Sequence, residues 1–172
     1  MAIIKPNNNT ISAITALPAA IPTGKVLQTV SSTKSDTSST SSTSYSDISG
    51  LSVSITPSST SSKILVSYNF CAGTNAGYDE CHVSLFRDST DLKGGSSTGT
   101  SYMPIFSGNY PQYKMYNFAF EHLDNPSSTS SLTYKLRFNS QSGQTLYINT
   151  RGHGSGIWTN SSITVMEIAQ WL

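Results

Sequence analysis

Residues 63–81, KILVSYNFCAGTNAGYDEC, decide the fold class of this 172-residue chain, because their first half alternates between apolar and polar side chains. The apolar members occupy every second position: Ile64, Val66, Tyr68 and Phe70. A period of two places all of them on one face of an extended strand, whereas a helix would scatter them around its axis. The stretch therefore predicts a half-buried β-strand.

The next run, residues 81–87, alternates in the same way and predicts a second strand. Gly73, Asn75 and Gly77 lie between the two runs, and all three tolerate the positive φ angles that a chain reversal needs. We therefore expect a β-hairpin with Ala76 at its tip.

The two cysteines, Cys71 and Cys81, are equally distant from Ala76. In a symmetric hairpin they would face each other, and a cross-strand disulfide would be within geometric reach. The alternative is a pair of buried free thiols, which we favour because the N-terminal residues lack the apolar run of a secretory signal. With no further Cys or His at ligand spacing, the pair does not predict a zinc site.

The composition is polar but poor in charge. Ser and Thr make up 53 of the 172 residues, whereas charged residues make up only 11%. Such a bias can indicate disorder, but aromatic residues reach 10% and fall inside the alternating runs, so we expect a folded β domain with Ser and Thr on its solvent faces. The net charge of +1 predicts no binding to nucleic acid, and no apolar run is long enough to enter a membrane.

Residues 1–23 differ from the rest of the chain, because they combine three prolines and an Asn triplet with scattered apolar side chains. The apolar residues are Ile3, Ile4, Ile11, Ile14, Leu17 and Ile21. A segment this short does not fold alone, so it must be disordered, lie on its own domain or bind a neighbour. We expect the six side chains to dock onto a neighbouring molecule. The chain then divides into a docking arm, residues 1–23, and one domain, residues 24–172.

Two Ser-rich features interrupt the predicted strands. Residues 31–47 are composed like a flexible linker, but they lie between two strands, so we expect exposed extended chain within the domain. The hexapeptide PSSTSS occurs at residues 57–62 and again at 126–131, each time ahead of a strand. The repeat indicates either two related hairpin connections or coincidence in a biased composition, and the sequence leaves both open.

Alternating runs predict further strands along the whole domain. They lie at residues 25–30, 51–55, 102–107, 113–123, 132–138, 146–150 and 162–170. The most aromatic is 113–123, which has Tyr116, Phe118 and Phe120 on one face. Eight to ten short strands, long polar connections and no convincing helix in the domain predict an all-β fold, a jelly-roll β-sandwich preceded by a short extended arm.

Few residues suggest a catalytic or metal-binding site. The acidic residues lie mostly in turns, and we interpret the two in strand interiors, Glu121 and Glu167, as edge charges that discourage sheet association, and not as a glycosidase pair. The histidines, at positions 82, 122 and 153, lack the spacing of a metal site. The sequence therefore predicts a protein that is not an enzyme and that binds no cofactor or metal.

The glycine-rich stretch RGHGSG, residues 151–156, lacks the Lys-Ser/Thr that follows a phosphate-binding loop. Its simplest interpretation is an exposed connection. The alternative is a recognition loop that contacts a host glycan or receptor together with nearby aromatic rings. The candidate contact residues are Tyr110, Tyr113, Arg151, His153 and Trp158.

Residues 24–70 and the terminal stretch SSITVMEIAQW, residues 161–171, resemble virion proteins of tailed bacteriophages. The most specific part is GLSVSITPSSTSSKILV, residues 50–66, and the resemblance covers about half the chain, with a poor match over residues 88–160. It implies a jelly roll of the capsid-decoration or tail-fibre kind, commonly a homotrimer, with no catalytic residue.

The resemblance also implies a location in the virion, assembled in the host cytoplasm. Aromatic residues in excess of one small core would then pack between the copies of a cyclic trimer. The arm would attach the domain to other virion proteins, either the major capsid protein or a tail protein. Because only about two dozen residues precede the domain, we favour a capsid decoration or cement protein. The alternative is a short fibre or receptor-binding tip that recognises host surface glycan.

Overall fold

The computed structural model describes residues 25–75, 81–92, 103–106, 114–140, 144–152 and 159–169. These ranges contain eleven β-strands and no helix, and so none that could cross a membrane. The strands are Val26–Lys34 (β1), Ser38–Thr40 (β2), Ser46–Ile55 (β3), Lys63–Thr74 (β4), Cys81–Arg87 (β5), Thr90–Asp91 (β6), Met103–Phe106 (β7), Tyr116–Asp124 (β8), Leu132–Ser140 (β9), Leu146–Ile148 (β10) and Ser161–Ile168 (β11). The all-β prediction is confirmed, and the arm lies outside the described residues.

The strands form two antiparallel sheets. In sheet A, β4 is central, with β8 on one edge and both β11 and β10 on the other, and β1 and β2 complete the sheet beyond them. In sheet B the order is β3-β9-β5, and the free edge of β5 pairs with the short strands β6 and β7.

This connectivity is that of a jelly roll. Eight strand positions remain when β2 and β10, which have three residues each, are left out and β6 and β7 are counted as one. Numbered along the chain, these positions follow the order 1-8-3-6 across sheet A and 2-7-4-5 across sheet B. Successive strands mostly alternate between the sheets, which is how two interlocked Greek keys arise. The predicted jelly-roll β-sandwich is therefore confirmed.

The core lies between the sheets and follows the period of two that the sequence shows. The predicted inward residues of β4, from Ile64 to Phe70, are all at most 1% exposed, and they pack against inward residues of β5 and β9 such as Leu85 and Leu136. Burial of each such side chain contributes about 1.5–3 kcal/mol to stability. A buried polar group closes one end of the sandwich, where Asp124 Oδ2 accepts from both Arg87 and the Tyr134 hydroxyl at 2.6 Å.

The predicted central hairpin is wrong, because β4 belongs to sheet A and β5 to sheet B. Cys71 lies opposite Asn117 and Cys81 opposite Ser140, so the two cysteines are in different sheets and both are free thiols, as favoured. A period of two identifies the face of a strand but carries no information on its partner. Ala76, the predicted tip, lies outside the described residues.

Each of the two PSSTSS segments connects a strand of one sheet to a strand of the other, so neither closes a hairpin. Residues 57–62 lead from β3 in sheet B to β4 in sheet A, and residues 126–131 lead from β8 in sheet A to β9 in sheet B. Both crossings lie at the same end of the sandwich, since the first residues of β4 pair with the last residues of β8. The repeat thus marks two sheet-to-sheet connections.

The aromatic face of β8 points inward. Tyr116, Phe118 and Phe120 pack against the core, and the Phe118 ring stacks on Phe70 with centroids 5.3 Å apart. These rings complete a single core, because β8 covers its edge.

Candidate interaction surfaces

The outer face of sheet A is almost free of charge. On its four long strands the outward side chains are Val26, Thr29, Ser31 and Thr33 of β1, Ser162, Thr164, Met166 and Ile168 of β11, Lys63, Leu65, Ser67, Asn69 and Cys71 of β4, and Asn117, Ala119, Glu121 and Leu123 of β8. Only Lys63 and Glu121 carry charge. Mixed charges usually cover a quarter or more of a soluble domain's surface, so this face is atypical.

An apolar strip crosses one end of this face. We define it as Val26, Leu27, Leu65, Leu123, Met166 and Ile168. Register places Leu123 opposite Leu65 and Leu65 opposite Met166, while Ile168 pairs with Val26. Side chains directly opposite on neighbouring strands have Cβ atoms about 5 Å apart, so the strip is continuous across the sheet. Its Val26, Leu27 and Leu123 are the exposed large hydrophobic residues of the described chain, at 55%, 45% and 52% exposure.

Beyond the strip the same face carries a hydroxyl and amide array. Ser31 and Thr164 share a hydrogen bond of 2.9 Å across β1 and β11, and Asn69 Nδ2 donates to Ser162 Oγ at 2.7 Å. These groups bond to each other along the rows of the sheet.

The outer face of sheet B is charged. Asp47 of β3 accepts from Lys135 Nζ at 2.8 Å through one oxygen and lies 2.9 Å from Arg137 Nε through the other. The Arg137 guanidinium also stacks over the Phe86 ring, with Cζ 4.8 Å from the centroid. One carboxylate thus joins two cations of β9, and the arginine in turn covers an aromatic ring.

Residues 41–45, which we call the covering loop, close over this charged face. Its carbonyl oxygens accept from β9: Tyr45 from Arg137 at 2.6 Å, Thr43 from Asn139 at 3.0 Å, and Ser42 from the backbone of Ser140 at 2.8 Å. The Tyr45 ring packs edge-on against Phe86 at 5.6 Å between centroids. As a result Phe86 is only 6% exposed although it points away from the core.

Polar side chains beneath the covering loop are paired. His82 Nδ1 lies 2.9 Å from Asn139 Oδ1, and Ser84 Oγ donates to Asp91 Oδ1 at 2.6 Å, with His82 and Ser84 fully buried. Burial, reinforced by the charge of Asp91, raises the pKa of Tyr45 to about 12, so its phenol is neutral at ordinary pH. These bonds hold His82 and Ser84 in place, whereas the buried Tyr45 hydroxyl has no hydrogen-bond partner among the described residues.

Glu167 is not the edge charge expected from the sequence. It points inward from β11 and is fully buried, beneath residues 57–62. Oε1 accepts from the Ser58 amide at 2.7 Å and its hydroxyl at 2.6 Å, and Oε2 accepts from Gln28 at 2.6 Å. Although burial opposes ionisation, the donors from Ser58, Ser62 and Gln28 lower the pKa of Glu167 to about 2. Glu121 is exposed on the opposite face of sheet A, so the two do not form a catalytic pair.

The remaining predicted site residues are only partly covered by the structure. All six arm residues, and Tyr110, Tyr113, His153 and Trp158 of the proposed glycan site, lie outside the described residues. Arg151 is half-buried, and the residue after it, Gly152, lies so close to the backbone of Thr74 and Asn75 that a Cβ would overlap it. The structure therefore fixes Arg151 against the end of β4 and leaves the glycan site a prediction.

The histidines that the structure describes are not brought together. His82 lies on the outer side of sheet B, and His122 lies on the inward-facing side of β8 in sheet A. In the described ranges no group of three or more His, Cys, Asp or Glu is arranged to hold a metal ion.

Comparison with known proteins gives only distant structural likenesses. No family model matches the chain, and no curated protein matches its sequence. Among solved structures, infectious bursal disease virus Gt strain is similar at 11% identity and a TM-score of 0.42, over 82% of this chain and 42% of that one. The Gx strain of the same virus is similar at 10% identity and a TM-score of 0.34, over 83% and 31%. This chain thus spans less than half the length of either.

Proposed function

We propose that this chain is a non-enzymatic structural protein of a virus particle, and more specifically a homotrimeric capsid decoration or cement protein of a tailed bacteriophage. In this proposal the jelly roll is displayed on the particle surface, and residues 1–23 attach it to the major capsid protein. The proposal draws on the jelly-roll connectivity together with the sequence resemblance of residues 24–70 and 161–171.

The observation that carries the proposal is how the polar and apolar groups are distributed. The buried carboxylates and the buried histidine are engaged in internal hydrogen bonds: Glu167 with Ser58 and Gln28, Asp124 with Arg87, and His82 with Asn139. Among the described residues, the large apolar side chains left exposed collect at one end of sheet A. A molecule built in this way is suited to binding a surface and not to transforming a substrate.

The arm supplies the second half of the proposal. Its six apolar residues, Ile3, Ile4, Ile11, Ile14, Leu17 and Ile21, would insert into another virion protein and so fix the domain to the particle. Binding through a short apolar segment leaves the domain free to form contacts with its own copies.

Counting copies of this chain in purified particles by quantitative mass spectrometry tests the proposal. We expect hundreds of copies, and we expect particles lacking the chain to adsorb normally to host cells but to lose tolerance to heat or osmotic shock. A handful of copies, with intact particles that fail to adsorb, would instead indicate a receptor-binding tip and overturn the capsid assignment.

The arm is tested in the full chain by the double substitution Ile3→Asp and Ile4→Asp, with Asn8→Asp as the matched control. We expect the double variant to fold normally and to be lost from particles, because a carboxylate cannot be buried in an apolar pocket without a partner. The control should be retained. Full incorporation of the double variant would exclude these two residues as the anchor.

A further inference from the structure

The apolar strip contains the three exposed large hydrophobic residues of the described domain. Its six residues come from four neighbouring strands, and Val26, Leu27 and Leu123 are each about half exposed. Single exposed hydrophobic residues are ordinary, but a contiguous set that crosses a whole sheet is typical of an interaction site.

The surroundings of the strip favour a partner surface with little charge. Four strands at about 4.8 Å spacing, with β1 running for about 26 Å, give the face about the size that each partner contributes to the smaller specific interfaces. Lys63 and Glu121, the only charges on the face, form no ion pair with any other described residue. A partner rich in charge would leave its own groups desolvated against this surface.

A second copy of this chain meets these requirements. It presents the same nearly uncharged face, and around a threefold axis each copy would offer Glu121 to Lys63 of one neighbour and Lys63 to Glu121 of the other. Small and apolar side chains, such as the Ser, Thr, Leu and Met residues of this face, allow neighbouring sheets to approach closely.

We propose that the apolar strip is the contact between copies of this chain, so that the sheet A faces of neighbouring copies meet around their shared axis. This inference rests on the homotrimer of the proposed function and names the residues that would form it. Leu123, Leu65 and Met166 form its central row, and Val26, Leu27 and Ile168 extend it to the edge where the arm begins.

The test measures the mass of the full-length chain by analytical ultracentrifugation over a series of protein concentrations. The test variant is Leu123→Lys, and the matched control is Ala119→Lys, which places the same charge on the same face of β8 but outside the strip. Both residues are exposed, so both variants should keep the melting temperature of the wild-type monomer. We expect Leu123→Lys to weaken association at least tenfold and Ala119→Lys to change it less than threefold.

A second variant, Met166→Lys, keeps the test independent of the β8 edge and should also weaken association at least tenfold. A wild-type chain that is monomeric at every concentration, or equal effects of Leu123→Lys and Ala119→Lys, would overturn the inference. The particle experiments remain separate: if association depends on the strip but the chain is absent from particles, the proposed function fails alone. If the chain is abundant on particles but Leu123→Lys associates like wild type, the strip inference fails alone.

Discussion

The two outer faces of the sandwich differ in their charge and in how far their apolar side chains are covered. On sheet B, Asp47 is paired with both Lys135 and Arg137, and the covering loop buries Phe86 beneath Tyr45. On sheet A, hydrogen-bonded hydroxyl and amide groups lie beside the apolar strip. Val26, Leu27 and Leu123 of the strip remain about half exposed.

This difference separates a face that supports the fold from a face that is available to a partner. Several polar side chains of sheet B bond to each other within the chain, among them His82 with Asn139 and Ser84 with Asp91, so removing one partner leaves the other unpaired and destabilises the domain. The side chains of the strip contribute little to the isolated domain because water still reaches them. Substitutions on sheet B should therefore change stability, and those on sheet A should change association.

The largest contrast is expected between Phe86→Ala and Leu123→Ala, which both shorten a large side chain on an outer face. Phe86 loses its contacts with Tyr45 and Arg137, so we expect the free energy of unfolding to fall by about 3 kcal/mol. Leu123→Ala should change it by less than about 0.5 kcal/mol, as for other exposed positions. Urea denaturation at a concentration where the chain is monomeric measures both, and equal losses would contradict the contrast.

Acid should destabilise the domain chiefly because it protonates Glu167, which is buried on the inner side of sheet A. Protonation of Asp47, which is exposed on sheet B, should matter much less. The pKa of Glu167 is lowered from 4.5 to about 2 in the folded state, so its contribution is fully present above pH 4.5 and is lost as the pH falls towards 2. The shift corresponds to about 3 kcal/mol. Glu167→Gln should flatten this part of the profile in denaturation measured against pH.

Asp47→Asn is the matched control for that profile, because Asp47 lies in surface ion pairs and is half exposed. It should leave the acid dependence nearly unchanged. If Asp47→Asn and Glu167→Gln flatten the profile equally, the assignment of acid sensitivity to Glu167 is wrong.

A smaller effect is expected when the covering loop loses its hold on β9. Arg137→Leu removes the ion pair with Asp47, the hydrogen bond to the Tyr45 carbonyl and the stacking on Phe86, and should cost about 2 kcal/mol. Lys135→Leu removes only the ion pair with Asp47 and should cost about 0.5 kcal/mol. Thermal denaturation of the two variants orders them, and the reverse order would show that the loop is held in another way.

The smallest contrast compares one hydroxyl from each face. Ser84→Ala removes a buried donor to Asp91 on sheet B and should cost about 1 kcal/mol. Thr164→Val removes the hydroxyl that bonds Ser31 on sheet A and keeps the β-branched shape, so we expect a change below about 0.5 kcal/mol. Equal costs in urea denaturation would mean that sheet A depends on its polar array as much as sheet B does.

The strands and their inward faces could be predicted from the sequence because the period of two survives in the Ser- and Thr-rich composition. The alternation in β4, the aromatic face of β8 and the final strand all appear as expected. The same period also placed Glu167 in line with Ile163 and Val165, two positions buried in the core. The alternation alone would have predicted a buried Glu167, but the general rule that carboxylates lie at the surface led to its interpretation as an edge charge.

The partners of the strands could not be predicted in this way. The neighbour of β4 across the sheet is β8, about fifty residues further along the chain, because the jelly roll sends most successive strands to opposite sheets. The covering loop could not be predicted either. Residues 41–45 are mostly Ser and Thr, and the loop is held to β9 by backbone carbonyl groups, which side-chain patterns do not reveal.

Oxidative footprinting by hydroxyl radicals, read by mass spectrometry at low and high protein concentration, tests the central claim that sheet A is the available face and sheet B the closed one. We predict that Leu65, Leu123 and Met166 are modified readily in dilute solution and become protected as the chain associates, while Phe86 stays protected throughout. Ready modification of Phe86 in dilute solution, or strip residues that are modified equally at both concentrations, would contradict this account.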